Sequence, residues 1–423
     1  MHKVLILSYY FPPCNLTGAA RVGQWYDHLY KYDIYPIVVT RKWEGNITSF
    51  NDIFLKSSPN KKKISDNRGE VHYLPFSGTT KDKITRILRI EKFTYLTRLL
   101  SLFGLIFQNI SIKLSPYYFL YKEAHELLER DNEISSVIIS GKPFQQFFIG
   151  YKLKKKFPKI NWIPDYRDEW TSRPNFENFK SSSLLNFIDK FFEKKWLSNS
   201  YKFIYVNDYY LARIEKVNQK RGVTIENGFK KRSQVIRKTS LNQLVLTFSG
   251  TLYAHQDLSL FVDGVKKFRE ENLDVELKIL FLGSKINKNS EKFILECFSD
   301  IEETIEITDR LSKEDLEAYY EKTDAFLMFP IKNMSGVVPT KVLNYLPLGI
   351  PILFCPTDNG AIHSLIDETK SGYNISTQVQ LVKVLYLLLK QKKSSIKNVS
   401  VNIEQFSTDF RVNKLADFLT SIS

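Results

Sequence analysis

The feature that most constrains this chain is an alternation that runs through both halves. Short apolar runs closed by glycine or proline are followed by amphipathic helical stretches. Strands separated by helices need crossover connections and therefore build parallel sheets. In the first half, Lys3 to Tyr9, Tyr35 to Thr40, Val71 to Phe76, Ser136 to Ser140, a run opening at Asn161, and Lys202 to Val206 read as strands. Between them lie a helix from Ala19 to about Tyr32, one ending in Lys154-Lys-Lys156, and one over Ser181 to Trp196. The segment around Lys61-Lys-Lys63 reads as a polar loop.

The second half begins the same pattern again. Leu244 to Ser249 is a strand ending at Gly250, followed by a helix from about Asp257 to Arg269. Glu276 to Leu282 and Ile305 to Thr308 are further strands, and Ser312 with Asp315 makes a capping-box analogue at a helix start. Ala325 to Phe329 is a short buried strand. The terminal helices fall at Gln378 to Lys390 and Ser407 to Thr420. With 423 residues the chain exceeds one ordinary core. Two doubly wound parallel sheets are expected, facing across a cleft, with basic Lys230 to Lys238 as the linker.

Composition narrows the class. Hydrophobic residues make up 43% and charged residues 25%, which describes a soluble globular protein. Cys14, Cys297 and Cys355 are far apart and in no metal-ligand spacing, so a reducing cytoplasm and no metal are expected. The start lacks the pattern of a signal peptide, and the apolar window Leu99 to Tyr121 is broken by Gln108, Asn109, Lys113 and Pro116. Neither a leader nor a membrane span is expected.

The formal net charge of +15 calls for an acidic partner. Nucleic acid is the weakest choice: no zinc-finger spacing or aromatic RNA-binding motif occurs, and the lysines are spread along the chain. Between Lys81 and Arg98, Ile84, Ile87, Leu88 and Leu96 recur at helical spacing beside six basic residues. That segment fits an interfacial helix on anionic lipid and, equally, a core-packed excursion with a solvated basic face.

Four segments carry chemistry. After the first strand, Phe11-Pro-Pro13 forces a loop containing Gly18, with Arg21 on the helix that follows; the dinucleotide fingerprint Gly-x-Gly-x-x-Gly is missing, which counts against a dehydrogenase. Asp165-Tyr-Arg167-Asp168-Glu-Trp170 brings charge to the C-terminal end of a strand, where open α/β sheets bind ligands. The lesser alternative is a loop-holding ion pair between Arg167 and Asp168. Gly250 and Thr251 end the first strand of the second half. Finally, Met334 to Pro351 follows a buried strand: Gly336 lets the backbone turn, Pro339 fits the first helical turn, Lys341 and Asn344 share a side, and Gly349 stops the helix. A strand, a glycine-bearing loop and a helix start form an anion site, and Lys341 adds a positive charge.

The last segment resembles the nucleotide-sugar site of retaining family 4 glycosyltransferases, with a group 1-like C-terminal domain. Phe11-Pro-Pro13 with Gly18 and Arg21, the Asp-x-Arg-Asp-x-Trp run, and Asn227-Gly-Phe229 are similar to the same family. The resemblance spans essentially the whole chain. It implies the GT-B fold, an acceptor-side domain over 1–232, a donor domain over 241–406, and a last helix, 407–423, packed back on the first domain. It implies transfer of a sugar from a nucleotide-sugar donor to a lipid-linked or polysaccharide acceptor, with retention, no divalent metal and no cofactor. The location it suggests is cytoplasmic, at the inner face of the cell membrane.

By the same resemblance, Asp168, Arg167 and Lys341 are catalytic candidates. Gly18, Arg21, Gly250, Thr251, Gly336, Val337, Val338, Thr340 and Asn344 are donor-binding candidates. The chain departs from the family at its Glu pair, where Gly336 and Asn344 stand instead. A neutral Asn344 makes a weaker bond to a ribose hydroxyl than a carboxylate would. The degenerate pair leaves a second expectation open: a catalytically silent GT-B subunit that binds a partner transferase or a glycan. A nucleotide-sugar epimerase ranks below both.

Overall fold

The computed structural model describes residues 1–44, 57–76, 109–172, 183–231, 240–393 and 400–422. The basic segment Lys81 to Arg98 and most of the expected linker lie outside them. The chain divides into two compact units: Met1–Asn227 with Arg411–Ser423, and Gly228–Phe410.

The first unit is built on an eight-stranded sheet. Its strands are β1 (His2–Ser8), β2 (Ile34–Arg41), β3 (Lys62–Asp66), β4 (Gly69–Leu74), β5 (Ile134–Ser140), β6 (Asn161–Tyr166), β7 (Phe203–Tyr205) and β8 (Gly222–Thr224). Their order is β3-β4-β2-β1-β5-β6-β7-β8, parallel except for the β3–β4 pair. The polar loop expected around Lys61 to Lys63 is therefore in part an edge strand. Its side chains are mostly exposed, so no apolar alternation marked it. Lysines on an exposed edge also discourage pairing with a further chain.

The core of this unit joins Val4, Ile6, Val38, Ile138 and Ile163 of the sheet to Val22 and Trp25 of the first helix, Thr17–His28, and to Leu29 just after it. Val412, Leu415, Ala416 and Leu419, from the helix Thr408–Thr420, complete it. Strands enclosed on both faces read as continuous apolar runs, and β1 and β5 do.

The second unit holds six parallel strands: β9 (Gln243–Ser249), β10 (Glu276–Leu282), β11 (Ile305–Ile307), β12 (Ala325–Met328), β13 (Ile352–Phe354) and β14 (Gly372–Asn374). Their order is β11-β10-β9-β12-β13-β14. Phe248, Phe261, Phe268, Phe281 and Phe329 fill one face of the sheet, and Phe326, Tyr345 and Leu346 the other. The Ser312 hydroxyl accepts from the Asp315 N–H at 3.1 Å and caps the helix Lys313–Lys322, as its spacing predicts.

Each sheet has one point where the strand order reverses: β1/β5 in the first unit and β9/β12 in the second. The crevice outside the carboxyl ends of those strands is where doubly wound sheets bind ligands. Among the described residues no helix is long and apolar enough to cross a membrane.

Candidate functional site

In the second unit the reversal point is closed by two side chains one helical turn apart. The helix Thr340–Tyr345 is only 6 residues long, and Pro339, expected inside its first turn, sits one residue earlier as the N-cap. Tyr345 is buried, stacks on Phe326 with ring centroids 3.8 Å apart, and shares a 2.7 Å hydrogen bond with the Ser249 hydroxyl at the end of β9. Lys341 lies four residues before Tyr345, on the same face. Anchoring Tyr345 therefore brings Lys341 over the next residue of the β9 loop.

The Lys341 Nζ stands 4.0 Å from the centroid of the Phe248 ring. A β-carbon placed on Gly250 would be 3.3 Å from it. Gly250 has φ +99°, a conformation that glycine adopts without strain. No carboxylate pairs with Lys341 among the described residues. Burial against the ring pushes its ammonium down to about 8. A desolvated ammonium without a counter-ion, at the mouth of a reversal point, favours an incoming anion.

The backbone donors nearby divide into used and open. The Gly250 N–H donates to the Leu282 carbonyl at 2.7 Å, and the Val337 N–H to the Met334 carbonyl at 3.0 Å. Those two candidate amides are committed within the protein. The N–H groups of Thr251, Gly336 and Val338 have no protein acceptor among the described residues. The left-handed residue of the loop before the helix is Asn333, φ 63°, rather than Gly336. Gly349, φ 67°, ends the helical stretch as its position predicts. Asn344 is exposed on the short helix, and Thr340 is half-buried at its first position.

Gln256 was not singled out from the sequence. Its side chain accepts from the Tyr253 N–H at 2.9 Å and donates to the Phe329 carbonyl at 3.1 Å, tying the Gly250 loop to the end of β12. Phe248 and Tyr345 were missed as well, because apolar strand and helix positions read only as core.

In the first unit the charged candidates have specific partners. Asp165, fully buried at the end of β6, accepts from Arg21 Nη2 at 2.8 Å, Arg21 Nε at 3.1 Å and the Ser140 hydroxyl at 2.8 Å. The remaining Arg21 nitrogen donates to Asn227 at 3.1 Å, and its guanidinium lies over Trp25. Arg21 thus points into the unit. Arg167 donates from Nε to the Gly141 carbonyl (2.8 Å), from Nη1 to Gly18 (2.6 Å) and from Nη2 to Lys142 (2.6 Å). Its guanidinium holds loops together through three carbonyls, while exposed Asp168 pairs with Lys142 at 3.2 Å. The ion pair weighed between Arg167 and Asp168 is replaced by these two separate arrangements. The structure brings together Gly18 and Arg167 in one unit, and Gly250 and Lys341 in the other.

Beside the first reversal point, Tyr9, Tyr10, Trp43 and Phe76 gather around buried Arg41, with Tyr10 and Trp43 stacked at 5.5 Å. Burial lowers the Arg41 pKa against the contrary pull of Tyr9. Among the described residues no group of three or more His, Cys, Asp or Glu could hold a metal ion.

Comparison with known proteins bears on this geometry. Residues 243–391 match the family described as glycosyl transferases group 1. No curated protein sequence matches the chain. Sucrose-phosphate synthase from Thermosynechococcus elongatus superposes with TM-score 0.59 at 12% identity, covering 100% of this chain and 99% of that one. HepE from Anabaena, in complex with UDP and glucose, gives 0.55 at 12% identity with 100% of both chains covered. Trehalose 6-phosphate synthase from Burkholderia multivorans gives 0.58 at 8% identity, covering 100% and 97%. At such identities the likeness is one of fold. Residues 243–391 thus match the group 1 glycosyl transferases, and the two doubly wound sheets give the chain the GT-B fold.

Proposed function

We propose that this chain is a glycosyltransferase that takes its sugar from a nucleotide-sugar donor whose diphosphate binds at Lys341 and the Gly250–Thr251 turn. The observation that carries this reading is the Lys341 ammonium, desolvated over Phe248 and without a carboxylate partner. The open amides of Thr251, Gly336 and Val338 add donors that need no reorganisation as charge grows on the leaving diphosphate. Asn344 takes the ribose hydroxyls in place of the family's Glu. The ligands named for HepE, UDP with glucose in one structure and UDP-glucose in another, support this donor class.

The acceptor in this reading is lipid-linked or a growing polysaccharide, met in the cytoplasm at the inner face of the membrane. Half-buried Tyr10, held by its stack on buried Trp43, supports an acceptor with a sugar ring or apolar chain to set against its remaining edge. Asp168, exposed at the end of β6, is the acid–base candidate on that side. The transfer proceeds with retention, as the family resemblance implies, and without a metal, because lysine and amides supply the positive charge.

The test is transfer from a panel of UDP- and GDP-sugars by the native chain, Lys341→Ala and Asp168→Ala. Loss of turnover in Lys341→Ala with weakened nucleotide binding supports the site. Unchanged turnover in both variants rejects it. The degenerate Glu pair favours one competing reading, a silent subunit; calorimetry that detects no heat with any nucleotide would decide for it.

A further inference from the structure

We propose that the outer face of the helix Ser183–Leu197 docks this protein on an anionic membrane surface, with the Phe187 and Phe191 rings among the headgroups and Lys190, Lys194 and Lys195 against their phosphates. The helix has two dissimilar faces. Inward, Phe192, Glu193, Trp196 and Leu197 are buried. Trp196 stacks on Phe148 at 5.3 Å and on Trp170 at 5.7 Å, and Glu193 accepts from the Tyr166 hydroxyl at 2.6 Å. That face anchors the helix to its own unit.

Outward, Phe187 is 70% exposed and Phe191 55% exposed. They fall one turn apart, and exposed Lys190, Lys194 and Lys195 continue the same stripe at helical spacing. The Lys195 Nζ lies 5.6 Å from the Phe191 ring centroid, so charge and ring form one surface. No exposed carboxylate interrupts the stripe: Glu193 is buried and Asp189 half-buried, with its pKa raised by burial. None of the three lysines has an acidic partner among the described residues. The neighbouring helix Phe147–Lys156 ends in exposed Lys155 and Lys156.

Charge decides between occupants. Aromatic rings flanked by lysines and free of acids suit an interface of anionic lipid, where the rings sit at headgroup depth and each lysine adds attraction. A second copy of this chain, whose net charge is +15, would set the same lysines against each other in a two-fold contact. The inference goes beyond the proposed transfer reaction by naming the surface that meets the membrane, and it does not depend on which sugar is carried.

The experiment is co-sedimentation of the full chain with phosphatidylcholine vesicles, with and without phosphatidylglycerol. Binding is expected only with phosphatidylglycerol and is expected to weaken as salt rises. Phe187→Ser/Phe191→Ser should lower partitioning by about tenfold or more. Lys190→Gln/Lys194→Gln/Lys195→Gln should lower it roughly fivefold per charge removed and flatten the salt dependence. Thermal melting should be unchanged in both, since neither touches the inward face. Nucleotide-sugar calorimetry on the same variants separates the two proposals, because donor binding should persist when vesicle binding is lost. Equal binding to neutral vesicles, no binding at all, or native-like binding by both variants would overturn the proposal. So would a concentration-dependent dimer abolished by the phenylalanine substitutions.

Discussion

Arg167 Nη1 donates to the carbonyl oxygen of Gly18, 149 residues earlier in the chain, at 2.6 Å, and a β-carbon at Gly18 would overlap that same nitrogen. The glycine after the first strand is therefore required by a protein side chain. Gly18→Ala should dislodge the guanidinium from its carbonyls. Arg167→Lys should do the same, since an ammonium cannot span three acceptors held in a fork. Each is expected to cost about 3 kcal/mol of unfolding free energy, measured by urea titration. Equal stability of Arg167→Lys and the native chain would show the fork to be incidental.

A second expectation concerns the Arg21–Asp165 pair, whose side chains are 3% and 0% exposed. Removing one charge leaves the other buried without compensation. Asp165→Asn should destabilise the protein by roughly 3–5 kcal/mol. Asp165→Asn combined with Arg21→Met should recover part of that loss. A double-mutant cycle on chemical denaturation measures the coupling.

The ammonium of Lys341 is expected to set a pH dependence on the proposed donor binding. At about 8 it is charged at neutral pH and loses its proton as pH rises through that value. Affinity for a nucleoside diphosphate should be level below pH 7 and fall above pH 8, with a steeper fall than in Lys341→Met. Calorimetry across pH 6.5–9.5 reads it directly.

Stability should run the other way. Because the unfolded chain carries an ordinary lysine near 10.5, it binds more protons than the folded chain between about 8 and 10.5. Unfolding free energy therefore gains from this group as pH rises through that window. Lys341→Met should lose that rise and be more stable at pH 7, by on the order of 1 kcal/mol once partial solvent exposure is discounted. Better stability with weaker donor binding would mark the lysine as retained for function.

If Lys341 and backbone amides compensate the leaving diphosphate as proposed, turnover by the native chain is expected to be unchanged after dialysis against EDTA and in the absence of added magnesium. A strict requirement for a divalent ion would shift that role away from the lysine.

Some of the site was legible before any coordinates. Gly250 and Lys341 stand out as the residues that a strand–glycine–helix pattern presents, and the structure sets them within reach of each other. The partners that give Lys341 its character were not legible. Phe248 and Tyr345 are apolar positions of a strand and a helix, and periodicity assigns both to the core. Gly336 misled in one respect, since glycine permits positive φ without requiring it, and Asn333 takes that conformation instead. Lys62–Asp66 reads as a loop because β3 pairs along an exposed edge, where no buried face imposes alternation.

What the sequence by itself determined is the alternation of strands and helices in two halves, the Glu276–Leu282 strand to the residue, and the Ser312 cap. These depend on neighbours within a few residues, and such neighbours leave a period or a spacing in the chain. Only the tertiary structure decided that Arg21 turns inward to Asp165, 144 residues away, and that Arg167 clasps carbonyls. It alone decided that Lys341 loses water against Phe248. A charged side chain's role follows from what replaces its hydration shell, and those groups are brought to it by sheet order, on which local sequence is silent.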